Sequence, residues 1–140
     1  MKKIISILTA LVLLVIPFSG ITASAAVPED PYPVMPAFAY ISNAGCTLYI
    51  TESGKASFNS NINGYPEVLM IEISVRLQRK IGNTWTDIAG NDTMFYDNFG
   101  YCDGTYYLVD RGLYRTETTF TVYTEDDLET IVSHSSEIVY

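Results

Sequence analysis

From Ala37 onward, apolar and polar positions alternate with a period of two, which is the signature of half-buried β-strands. Cys46, Leu48 and Ile50 alternate with Thr47, Tyr49 and Thr51; after the turn residues Glu52-Ser53-Gly54-Lys55, Ala56, Phe58, Ser60 and Ile62 share one face. Asn63-Gly64-Tyr65-Pro66 is turn chemistry, because Asn and Gly accept positive φ and Pro66 cannot continue a ladder. The clearest alternation follows, with Ile71, Ile73, Val75 and Leu77 against Glu72, Ser74, Arg76 and Gln78. A helix would group Ile71, Val75 and Gln78 and mix the two classes, so the pattern predicts a strand with its apolar side inward.

Gly82-Asn83 predicts a hairpin into Thr84–Ile88, a strand ended by Gly90-Asn91-Asp92 and carrying Trp85, the only tryptophan, over the sheet edge. Thr93 to Tyr101 reads as an aromatic-dense connection whose turn residues Asp97-Asn98 and Gly100 exclude a long regular strand. Thr105 to Thr124 then reads as a strand, a tight corner and a longer β-branched strand. Glu125-Asp126-Asp127 forms a hairpin tip, and Leu128 to Tyr140 supplies a last strand with Val132, His134, Ser136, Ile138 and Tyr140 on one side. About seven strands at this spacing, with no convincing helix, predict an all-β, immunoglobulin-like Greek-key sandwich. An open barrel is the competing architecture. Asp110, Gly112 and Tyr114, at D-x-G-x-Y spacing, favour the sandwich by forming a tyrosine corner, in which the phenol bonds upstream backbone.

The N-terminal quarter has a different character. Lys2 and Lys3 precede an apolar run from Ile4 to Phe18, and Ala23 and Ala25 form an A-x-A site, so residues 1–25 read as a signal peptide cleaved after Ala25 or one residue later. The run is short of the roughly 20 residues that span a bilayer as a helix. Residues 26–36, with prolines at 28, 31, 33 and 36, form an extended arm, and residues 37–140 form the sandwich domain. Export is therefore expected, with no stable membrane insertion once the leader is removed. Losing Lys2 and Lys3 leaves six basic against sixteen acidic residues, a net charge of −10 with His134 neutral. Such a chain repels phosphate, so nucleic acid and anionic membrane surfaces are not expected partners.

The segments LQRKIGNTW (Leu77–Trp85) and GLYRTETTFTVY (Gly112–Tyr123), together with the leader, resemble an uncharacterised family of small secreted proteins from Gram-positive bacteria with an immunoglobulin-like fold. The resemblance implies no activity. Thr116 stands where an antibody-type domain has its second disulfide cysteine, and Trp85 comes after the central strand instead of within it, so that disulfide and its tryptophan partner are absent.

Candidate chemistry is sparse. Cys46 and Cys102 are the only cysteines, and an even count in an oxidising compartment suggests a disulfide. An intervening strand would hold them too far apart and leave two buried thiols acting as small hydrophobes. His134 stands among Ser133, Ser135 and Ser136, but strand neighbours face opposite ways and no G-x-S-x-G elbow occurs, so no catalytic residues are assigned and no enzyme is expected. One histidine and two distant cysteines make no nitrogen or sulfur metal site, and the acidic tip Glu125, Asp126, Asp127 and Glu129 lacks a calcium-loop pattern, so neither metal nor cofactor is expected. The remaining candidate is aromatic: Phe95, Tyr96, Phe99 and Tyr101 crowd one connection, where rings could stack on sugar or anchor a protein. The sequence thus points to a secreted, non-enzymatic module for extracellular binding or envelope structure, its partner an extracellular protein or a glycan. A carbohydrate-binding domain using the aromatic connection is the alternative, and a secreted hydrolase a minor one.

Overall fold

A computed structural model describes residues 38–140; the leader and the proline-rich arm lie outside the described residues. The strands are β1 (Ile41–Ile50), β2 (Lys55–Gly64), β3 (Met70–Ile81), β4 (Thr84–Phe95), β5 (Phe99–Tyr107), β6 (Leu113–Tyr123), β7 (Leu128–His134) and β8 (Ile138–Val139). Two antiparallel sheets result: β1-β2-β5, and β4-β3-β6-β7 with β8 also pairing β6. No ladder joins the sheets among the described residues, so the arrangement is sandwich-like and not a closed barrel.

The alternation decides which side chains meet between the sheets. Leu48, Ala56, Phe58 and Ile62 project inward from the three-stranded sheet, and Ile71, Ile73, Val75, Leu77, Phe120 and Val122 from the other. Phe120 and Val122 are wholly buried, each worth about 1.5–3 kcal/mol relative to exposure. At the centre Ser60 and Thr118, both fully buried, hydrogen-bond each other at 2.8 Å and tie β2 to β6 across the core.

Three sequence expectations need correction. Gly90-Asn91-Asp92 does not end β4, which runs on to Phe95. Asp92 pairs with Ser74 across the ladder and is bonded by Ser74 and Arg76, so these turn-prone residues are held in register by their β3 neighbours. The aromatic connection is likewise mostly strand: only residues 96–98 bend, and β5 already begins at Phe99. The last segment is not one strand. Ser135 still donates its N–H to the Thr116 carbonyl, but its Oγ, in place of its carbonyl, accepts the Thr116 N–H at 2.9 Å, which ends the ladder there, and pairing resumes only in β8.

At Leu77/Gln78 the β3–β4 register shifts and Ile88 becomes the extra residue of a bulge. Beyond it the inward and outward parities of β4 exchange. Trp85, which shares its parity with the half-buried Phe95, is thereby placed with Lys80 on the outer face of the sheet.

Candidate ligand-binding surface

The four aromatic residues separate once placed on their strands. Phe95 closes β4 half-buried, Tyr96 stands at the bend 84 % exposed, and Phe99 and Tyr101 point outward from β5. Tyr101 brings three of the rings together, its centroid 5.5 Å from Phe95 and 6.2 Å from Phe99. Tyr96 makes no ring pair among the described residues. The bend is pinned from both sides: Asp97 Oδ1 accepts the Asn98 N–H at 2.7 Å, and the Asn98 carbonyl accepts the Gly64 N–H at 2.7 Å.

Period two also shows what the strip of rings belongs to. Because Ala56, Phe58, Ser60 and Ile62 face the core, Ser57, Asn59, Asn61 and Asn63 of β2 face outward in the centre of the three-stranded sheet. The register sets Asn63 between Asn43 and Phe99, Asn61 between Gly45 and Tyr101, Asn59 between Thr47 and Asp103, and Ser57 between Tyr49 and Thr105, with Tyr107 beside Lys55. The result is a three-strand-wide face with an asparagine row down its middle and rings at both ends. Tyr49 and Tyr107 are each 67 % exposed. Among the described residues, the asparagine amide that bonds protein is Asn91, not any of these three. The asparagines escaped the sequence reading, although their spacing at 59, 61 and 63 followed directly from assigning the even residues to the core.

The opposite outer face is built differently. Its polar groups saturate one another: Gln78 Nε2 donates to Asp87 Oδ1 at 2.9 Å, Arg115 Nε to Gln78 Oε1 at 2.8 Å and Arg115 Nη2 to Glu117 Oε2 at 3.2 Å, and His134 Nε2 lies 2.9 Å from the same Glu117 oxygen. The Arg115 guanidinium also lies 4.4 Å from the Trp85 ring centroid. Further along, Arg76 beside Asp92, with Ser74, holds that carboxyl below the usual range, and Glu72 accepting from the Tyr123 hydroxyl pushes that phenol up. An open groove of about 420 Å³ runs here, lined by Glu72, Ile73, Ser74, Asp92, Thr93 and Met94.

The other candidate residues are dispersed. His134 faces out towards Glu117, while Ser133 turns inward to within 3.7 Å of Cys46 Sγ and the Ser135 hydroxyl is engaged by Thr116 and Ser136. At the acidic tip the Glu129 carboxylate accepts the Ala39 and Tyr40 N–H groups at 3.1 and 2.8 Å, and Asp127 Oδ2 accepts the Tyr40 hydroxyl at 3.2 Å. No cluster of three His, Cys, Asp or Glu side chains suited to a metal occurs among the described residues. Cys46 and Cys102 are free thiols, each the register partner of Ser60 on opposite sides of β2. Two strand spacings, about 9.6 Å, exceed the roughly 7 Å that a disulfide tolerates between Cα atoms. At the corner Tyr114 Oη donates to the Asp110 carbonyl at 2.6 Å, and Arg79 spans Gly112 to reach the Asp110 carboxylate and, at 2.8 Å, the Arg111 carbonyl.

No protein-family profile matches the chain, and comparisons with curated proteins and with solved structures return no significant match.

Proposed function

We propose that the chain is a secreted, non-enzymatic module of immunoglobulin-like topology that binds a partner outside the cell through the outer face of its three-stranded sheet. The strand order supports the fold assignment: lettered A to G, the strands form sheets A-B-E and C′-C-F-G, the division of an immunoglobulin-type Greek key with its fourth strand on the second sheet. The Tyr114 bond to upstream backbone supports it further. The leader-like N-terminus of the sequence supports export.

The observation that carries the binding reading is the contrast between the two outer faces. One has its polar groups hydrogen-bonded among themselves; the other leaves exposed rings and unbonded amides over three strands. Exposed Tyr and Phe close together supply contact area at low entropic cost and mark recognition surfaces. Among the described residues His134 is bonded to Glu117 and to no serine hydroxyl, which favours binding over hydrolysis. The test is sedimentation of the purified protein with intact cell envelopes of its source, comparing wild type with Phe99→Ala/Tyr101→Ala. Binding that the variant loses is expected. Failure of the wild type to sediment, or equal sedimentation of the variant, would overturn the reading.

A further inference from the structure

Resting on that binding surface, we infer that its ligand is an uncharged polysaccharide chain lying along β2. The face has the reverse of the usual protein-recognition layout, in which apolar anchors occupy the centre and polar groups the rim. Here the centre is Asn59, Asn61 and Ser57 with Thr47 and Asp103 beside them, and the rings stand at the ends. Phe99 and Tyr101 are at one end, Tyr49 and Tyr107 at the other.

A sugar chain meets both features. The apolar C–H face of a pyranose stacks on an aromatic ring, while each hydroxyl both donates and accepts a hydrogen bond. An asparagine amide answers with two donors and an acceptor, and these amides are not already committed to the protein. From Tyr101 to Tyr107 is six residues along one strand, about 20 Å, room for several sugar units between the two stacking ends. Charge selects against ionic polymers. The chain as a whole has a net charge of −8, yet Lys55 and Asp103 are the charged side chains of this face and offset each other. An anionic polymer would meet an acidic protein and no basic patch in this face, and a cationic one would find no carboxylate cluster there.

Affinity electrophoresis of the purified protein tests this, in native gels cast with neutral β-glucan, mannan or xylan and, in parallel, with anionic alginate. Retardation by at least one neutral polymer is expected, weakened at least tenfold by Asn61→Ala and by Tyr101→Ala. Val132→Ala, on the opposite outer face, should migrate as wild type. Thermal melts of each variant establish that the fold is kept, as the substituted side chains are exposed. The inference fails if no neutral polymer retards the protein, if Asn61→Ala is retarded equally, or if alginate alone retards it. Envelope sedimentation that depends on Tyr101 without any neutral-polymer binding would overturn the glycan ligand and leave the binding surface standing.

Discussion

Tyr114 is 1 % exposed, so its phenol oxygen must find a partner inside the protein or forfeit about 1–3 kcal/mol. It finds the Asp110 carbonyl, four residues upstream, and thereby fixes the turn of chain between β5 and β6. Arg79 reinforces the same turn from outside, through the Asp110 carboxylate. The two contributions are unequal: the phenol bond is largely shielded from water, whereas the Asp110 side chain is 60 % exposed and its ion pair is worth about 0–1 kcal/mol. Tyr114→Phe should therefore lower unfolding stability by about 1–2 kcal/mol and Asp110→Asn by less, as read from urea midpoints. Burial also raises the Tyr114 phenol above its ordinary 10.0. A raised value stabilises the folded protein fully below pH 10 and less as pH rises through the folded value, so Tyr114→Phe should flatten alkaline unfolding. A larger loss in Asp110→Asn than in Tyr114→Phe would show that the ion pair holds the corner.

Between elements, the contact most exposed to test is the Ser60–Thr118 hydroxyl pair, which joins β2 to β6 where both residues have no accessible surface. Ser60→Ala alone strands the Thr118 hydroxyl and should cost about 1–3 kcal/mol; Ser60→Ala with Thr118→Val removes both polar groups and should recover most of that loss. Additive losses in this double-mutant cycle would mean that the hydroxyls do not depend on each other. The same pair shows what the sequence could reveal. β3 and β6 were legible because Ile71–Leu77 and Tyr114–Val122 alternate against one buried side. That Ser60 and Thr118 belong to the core followed from parity as well, but their meeting depends on how the sheets stack. The length of β4 was illegible for a related reason: Gly90 looks like a turn, yet a Cβ there would lie 2.8 Å from Arg76 Nη1, so glycine admits the arginine side chain across the strand. The candidate surface was half legible. The rings of one end stood together in sequence, whereas Tyr49, Tyr107 and the amides gained significance only when β2 proved to be the central strand between β1 and β5.

For the molecule as a whole, the consequence of this register is that no disulfide braces one sheet against the other. Cys46 and Cys102 both belong to the three-stranded sheet, with β2 between them, so stability rests on packing and on bonds such as Ser60–Thr118. The thiols differ in access. Cys46 is partly exposed, its Sγ 3.9 Å from the Thr116 carbonyl, whereas Cys102 is 3 % exposed and burial, followed by Asp103 and Asp92, pushes its thiol above the ordinary 9.0. The thiolate is the reactive form, and a raised value withholds it from the folded protein. Cys102 therefore adds stability that is full below pH 9 and declines as pH rises through its folded value. Iodoacetamide at mildly alkaline pH should modify Cys46 first, Cys102 only slowly in buffer, and both rapidly in urea, as followed by intact mass. Reductant should leave the urea midpoint unchanged. A protein that takes up no alkyl group even in urea, and whose midpoint falls on reduction, would carry an intramolecular disulfide, and β2 could then no longer lie between the two cysteines.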